Sequence, residues 1–325
     1  MTAKRKNCAP MLIGAVGLFL VFAAHAANGA PDEPRVSIQP RPGIARRSDI
    51  RVDSNLVLIP VSVTDPKNHP VTGLASEEFR IFEGKVEQKV LHLSSNDEPL
   101  SVGIVFDASG SMEGKVDKAR EAVAEFLGRS NPSDEFFLVN FNSKAELAVP
   151  FTTDAGEIET RLRSTESKGK TALLDAIYLA LHYMKGAKNP RKALLVISDG
   201  GDNDSRYSET ETRRMVQETD VWIYAIGIYA RGAQTLPEEE GGGPKLLTDI
   251  AERSGGRHFA VHDADELPDA TAKIGLELRN QYILAYSPAN TEEDGKYHRV
   301  QVKLVEGRNL HLSWRPGYYA PGPSN

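Results

Sequence analysis

Cysteine is almost absent from this chain: among 325 residues only Cys8 carries a thiol, and it precedes an apolar run instead of following one, where a lipid-attachment cysteine would stand. A disulfide framework and a thiolate metal centre are therefore excluded for everything downstream. Long apolar runs are equally scarce. The one at Ala9–Ala24 follows Lys4, Arg5 and Lys6 and leads into the small residues Ala26 and Ala27, the layout of a secretory leader. The expectation is a signal peptide over residues 1–27, cleaved near Ala27; the alternative is an uncleaved anchor, because the run is close to the lower length of a membrane span. Basic excess is lacking too. The net charge is −6, and loss of a leader with three basic and no acidic side chains takes it to −9. Such a chain is a poor partner for nucleic acid or anionic lipid. A periplasmic or secreted protein, with no membrane insertion after cleavage, is expected.

What remains is ordinary globular material, 40% hydrophobic and 26% charged, and long enough for one large domain and a smaller one. Residues 28–49 hold Pro31, Pro34, Pro40 and Pro42 among charges and read as an exposed linker. Within 50–97 come short β runs, Leu56–Thr64, Phe79–Phe82 and Gln88–Leu93, separated by Asp65-Pro66, Thr72-Gly73 and Glu83-Gly84. The pattern changes over 98–279. A continuous apolar run, Ser101–Phe106, leads into Asp107 and then into a helical segment with Val116, Ala119, Val123 and Phe126 on one face. Strands at Phe136–Phe141, Glu146–Val149, Ala193–Ser198, Val221–Gly227 and His258–Val261 follow, with helices at Thr171–Met184, Glu209–Glu218, Lys245–Arg253 and Asp265–Arg279. This alternation predicts an α/β domain with a doubly wound, mainly parallel sheet covered on both faces. In the last helix Leu267, Ala270, Ile274 and Leu278 share one face. Residues 280–320 return to β patterning, with Thr291–Lys296 expected to be a hairpin connection, and 321–325 form a tail. The economical arrangement inserts the α/β domain into a small β domain made by the two flanks.

In a doubly wound sheet, ligands bind where loops converge at the carboxyl ends of strands. There Asp107-Ala108-Ser109-Gly110-Ser111 offers a carboxylate and two hydroxyls just before a helix, although helix capping by either serine would explain the hydroxyls equally. Gly169-Lys170-Thr171 opens another helix with a hydroxyl, and the apolar strand Leu194–Ser198 ends in Asp199-Gly200. Three loops thus bring oxygen to one end of the sheet. In this the chain resembles the von Willebrand factor A family over about Leu100 to Arg279. The family's metal-ion-dependent adhesion site is written Asp-x-Ser-x-Ser, a later Thr, and a later Asp after an apolar strand. The flanking pattern, ending in Arg315-Pro316-Gly317-Tyr318-Tyr319, resembles exported von Willebrand A-related proteins of soil bacteria more loosely.

The resemblance implies that Ser109 and Ser111 ligate a cation directly, that Thr171 does so in the binding-competent state, and that Asp107 and Asp199 act through water. An all-oxygen, water-retaining shell suits Mg²⁺, with Mn²⁺ or Ca²⁺ as alternatives. Hydroxyl ligands leave the ion electrophilic, so the expected partner is a protein offering an acidic side chain. Binding without catalysis is the expectation. A structural or envelope-assembly role with a purely stabilising metal is the alternative, and a metal-dependent hydrolase is weaker because the motif supplies no obvious general base near the metal other than the water-bridging aspartates.

Other signals carry less. Gly169-Lys170-Thr171 ends like a phosphate-binding loop, but that loop's first glycine would fall at Ser164. Asp202 and Asp204 lack calcium-loop spacing, with Thr210 where a glutamate belongs, and read as solvated loop residues. His258 and His262 are four apart on an expected strand, without the helix that a zinc pair requires. The acidic, glycine-rich stretch Pro237–Pro244 is expected to be a flexible surface loop, with partner selection as its other reading.

Overall fold

The computed structural model describes residues 56–95, 98–229, 238–290, 294–305 and 309–322, all within the unit Asp53–Asn325. The expected leader, the linker and the last residues of the tail lie outside the described residues. Of the acidic, glycine-rich stretch, Pro237 lies outside them as well.

The central sheet is built on β5 (Leu100–Asp107), every residue of which is buried. A strand covered on both faces needs a continuous apolar run, and the segment supplies one broken only by Ser101 and Gly103. Gly103 is required by packing: a Cβ there would sit 2.2 Å from Phe137 and 2.6 Å from Leu194. Beside β5 lie β6 (Glu135–Phe141) and β8 (Arg191–Ser198), both parallel to it. Outward from these come β7 (Ala145–Thr152), β9 (Trp222–Ile228) and β10 (His258–Val261), in the order β10-β9-β8-β5-β6-β7. Only β7 is antiparallel. Helices α1 (Val116–Gly128), α2 (Ala155–Arg163) and α6 (Leu267–Arg279) close one face. The other is closed by α3 (Leu173–Tyr183), α4 (Glu209–Glu218) and α5 (Glu238–Ser254). The doubly wound, mainly parallel α/β fold is as expected. Leu267, Ala270, Ile274 and Leu278 are all buried on α6.

Two readings of the sequence need correction here. The segment α2 was passed over because only Ile158 and Leu162 are buried in it. Its start is nevertheless marked by Asp154, whose side chain accepts a hydrogen bond from Gly156 N–H at 2.8 Å. The stretch expected to be a loop before Pro244 is helical from Glu238, as the first turns of α5. Pro244 lies inside this helix, beyond its first turn, where it removes one hydrogen bond of the ladder; glycine and proline here belong to an element and do not mark a gap between two.

The flanks make two further sheets. One has the order β13-β1-β11-β4, from β1 (Val57–Thr64), β4 (His92–Ser94), β11 (Tyr282–Tyr286) and β13 (His311–Trp314). The other, β14-β12-β2-β3, contains β2 (Phe79–Glu83), β3 (Val86–Gln88), β12 (Tyr297–Leu304) and β14 (Gly317–Tyr319). Both mix strands from before and after the α/β domain, and Ile59, Val61, Ile81, Leu284, Val300 and Val302 fill the space between them. The expected Thr291–Lys296 hairpin lies partly outside the described residues, but the strands on either side of it do not pair: β11 pairs with β1 and β4, β12 with β2 and β14.

One polar cluster staples the two sheets. Glu83 on β2 accepts from Tyr286 Oη of the opposite sheet at 2.9 Å and pairs with His298 Nδ1 at 2.6 Å, while His298 Nε2 meets Asp294 at 3.2 Å. The hydrogen bond to Glu83 is the main cause holding the imidazole pKa above its ordinary value. Since the pKa is raised by folding, the stability this supplies is complete below the ordinary histidine pKa and is lost as the pH rises through the folded value. Replacing His298→Gln should therefore destabilise the protein by about 1–2 kcal/mol near pH 6. The deficit should shrink toward pH 9, as read from melting temperatures of both proteins across that range.

Candidate metal centre

The carboxyl end of β5 places Asp107 at 0% exposure, and that of β8 places Ser198 beside it, also at 0%. Both Asp107 oxygens are occupied: Oδ1 accepts from Ser109 N–H at 2.8 Å and Oδ2 from the Ser198 hydroxyl at 2.5 Å. Burial is the largest influence on the carboxyl and pushes its pKa up to about 6, against the lowering effect of these hydrogen bonds, with the Asp199 charge adding to the rise. Asp107 thus fixes the loop that follows it. That loop continues as a single 3₁₀ turn over Gly110–Met112, which brings the Ser109 and Ser111 hydroxyls within 3.0 Å of each other. Ser109 is fully buried and Ser111 is exposed, so the pair runs from the floor of the site to its mouth.

The second loop meets the first through the backbone. Gly110 N–H donates to Gly169 O at 3.0 Å and Lys168 N–H to Ala108 O at 2.9 Å. Gly169 has φ +84°, and a Cβ there would lie 2.7 Å from Ser143 Oγ, so glycine is needed for the turn and for the approach. Thr171, 4% exposed, is clamped from the third loop: its N–H donates to Asn203 Oδ1 at 3.0 Å, and its carbonyl accepts from Asn203 N–H at 2.9 Å. Asp199 follows Ser198 directly, is 15% exposed and faces Lys115 Nζ at 3.6 Å. Gly200, at φ +82°, turns the chain away from it.

All five residues singled out in the sequence, Asp107, Ser109, Ser111, Thr171 and Asp199, therefore stand on three loops tied to one another at one end of the sheet. The donor set was tested against a divalent ion by its own spacing. Two oxygens 3.0 Å apart match adjacent corners of an octahedron whose ligands lie at about 2.1 Å, which is the Mg²⁺ geometry. With both oxygens engaged in the fold, Asp107 is suited to orienting Ser109 and acting through water. The set fits.

Several supporting residues were not legible beforehand. Ser198, Asn203 and Lys115 carry no motif and become relevant only through contact. Asp202 and Asp204, read as solvated, are tied in: Asp202 Oδ1 accepts from Leu174 N–H at 3.2 Å and from Ser205 Oγ at 2.5 Å, and Asp204 pairs with Lys170 at 2.9 Å. Asp202 caps the start of α3, and burial is the main cause of its raised pKa. Asp175 accepts from Arg206 N–H at 2.8 Å and Tyr207 N–H at 3.0 Å, anchoring the same loop. His258 is no part of a metal pair. Its ring nitrogens meet Tyr229 Oη at 3.1 Å and Thr248 Oγ1 at 2.8 Å, and burial lowers its pKa to about 4.

Known proteins show likeness to the same segment. Residues 102–201 match the model of the von Willebrand factor type A domain. The chain is 31% identical over 122 residues to inter-alpha-trypsin inhibitor heavy chain H4 of Bos taurus, spanning 34% of this chain and 13% of that one. It is 24% identical over 199 residues to an uncharacterized protein of Borreliella burgdorferi, spanning 54% of this chain and 57% of that one. This chain thus covers less than two thirds of the length of either relative. Among solved structures, a von Willebrand factor type A protein from Catenulispora acidiphila aligns with TM-score 0.49 and 14% identity, covering 81% of this chain and 73% of that one. The domain carrying the site, with its six-stranded, mainly parallel sheet and its matched segment running from β5 to Gly201, has the von Willebrand factor A-type fold.

Proposed function

We propose that this is an exported, non-enzymatic binding module that holds one divalent cation, Mg²⁺ by preference, and captures a protein partner through a carboxylate on that cation. The observation that carries the reading is the Ser109–Ser111 hydroxyl pair, 3.0 Å apart above the buried Asp107. Ser109, Ser111 and Thr171 would hold the ion, with Asp107 and Asp199 acting through water. Neutral ligands leave the ion electron-poor, so an external carboxylate is a favourable further ligand. Export rests on the leader composition of residues 1–27.

A second reading, in which the cation only stabilises the domain, is favoured by one feature. Because the Asp107 pKa in the fold, about 6, lies above its ordinary 3.8, keeping it ionised costs stability. That cost is absent below the ordinary value and complete above about 6. A cation nearby would offset it.

Two outcomes follow. Replacing Asp107→Asn keeps an acceptor for Ser109 N–H and removes the buried charge, so at pH 7 the metal-free variant should be more stable than the metal-free parent by roughly 2–3 kcal/mol. Its melting temperature should no longer rise with added Mg²⁺, whereas the parent's should. Partner capture separates the two readings. Affinity capture from envelope and extracellular fractions should retain partners in Mg²⁺ and lose them in chelator. Retention in chelator, with only the melting temperature falling, would favour the stabilising role.

A further inference from the structure

The loops around the site divide by charge along the sheet. Four exposed cations stand on loops around the site, three of them on the side of β6 and β7. Lys144 lies in the β6–β7 turn, Lys168 and Lys170 in the loop before α3, and Arg206 in the loop after β8. Lys168 and Lys170 flank Gly169, whose carbonyl accepts from Gly110 N–H between the two site serines. Lys170 N–H also donates to Ser143 Oγ at 2.9 Å, joining the Lys144 turn to the same loop. On the opposite side, the loop leaving β10 carries Asp263, Asp265 and Glu266. The chain as a whole is acidic, net −6, so the cationic side is a local feature running against the overall charge.

The cations are held only loosely by the fold. Arg206, though 87% exposed, is the exception, because its partner Asp175 is only 7% exposed; Lys168 and its partner Glu166 are 70% and 78% exposed, and Lys170 is 66% exposed against Asp204 at 30%. Ion pairs in such surroundings are worth little and exchange readily for an external anion. Acids interleave with these cations, so the surface suits a flexible peptide whose carboxylates can each settle beside a separate cation.

Resting on the metal reading above, we propose that the partner is recognised through an acidic stretch and not a lone carboxylate. One carboxylate reaches the cation between the β5 and β8 loops. The following acidic residues run over Lys168, Lys170 and Lys144 toward β7, away from the acidic β10 loop.

The test uses the full chain with saturating Mg²⁺ and a fluorescent polyglutamate peptide, with polyglutamine of the same length as control. Anisotropy gives the peptide affinity and calorimetry the Mg²⁺ affinity. The glutamate peptide should bind and the glutamine peptide should not, and binding should weaken as salt is raised. The double variant Lys168→Glu/Lys170→Glu should bind the peptide roughly tenfold more weakly or worse while still binding Mg²⁺, whereas Asp265→Lys should not weaken it. Unchanged peptide affinity in the double variant, failure of the Mg²⁺-loaded parent to bind polyglutamate, or preference for a sulfated polysaccharide over the peptide would each overturn the proposal. Absence of Mg²⁺ binding in the parent would overturn the metal reading itself, and this inference with it.

Discussion

Burying a carboxylate at the end of a strand that is itself covered on both faces costs free energy that an apolar residue would not, and Asp107 is such a carboxylate. Much of the local arrangement follows from it. Ser109 N–H and the Ser198 hydroxyl converge on its oxygens because an ionised group with no water needs donors. Those two contacts bind the loop after β5 to the end of β8, and the second serine of the loop is thereby brought beside the first. The geometry of the two hydroxyls, the feature on which the proposed cation depends, is a consequence of where the charge is buried.

Ion pairs away from the site tie the sheet to its helices and flanks. At the opposite end, Asp134 accepts from Leu100 N–H at 2.8 Å and pairs with Arg279, fastening the start of β5 to the end of α6. Arg257 pairs with the buried Glu277 of α6 at 3.0 Å and also reaches Thr64 of β1 at 3.3 Å, so polar contacts join the α/β domain to the β flanks here, as Arg315 does at the Gln217 carbonyl of α4. Removing one member of a buried pair strands the other charge, which is why such contacts hold two elements in register even when they add little net stability. Site and flanks therefore meet through α6, whose apolar face is buried from Leu267 to Leu278.

Much of this was legible in the sequence because it depends on period and order. The apolar run into Asp107, the alternation of strands and helices, and the face of α6 are local patterns, and they place the five site residues at one sheet end without coordinates. What was not legible depends on partners distant in the chain. Ser198 is an ordinary strand-end serine until Asp107, far away in sequence, accepts a hydrogen bond from its hydroxyl. Asp202 and Asp204 read as solvated because nothing local says that Leu174 N–H and Lys170 will meet them. The Thr291–Lys296 segment reads as a hairpin because β patterning stands on both sides, and periodicity does not tell whether two strands share a sheet. The glycines before Pro244 read as a loop because their poor helix propensity outweighs, in a local reading, the packing of the rest of α5.

The central claim is that the Ser109–Ser111 pair is a cation site, and the most direct measurement is anomalous diffraction from crystals of the protein grown with Mn²⁺. The account predicts a single strong peak within about 2.0–2.3 Å of both serine hydroxyls, with Asp107 at second-sphere distance. A peak at Asp202 and Asp204 with none at the serines, or no ordered ion at millimolar Mn²⁺, would contradict it.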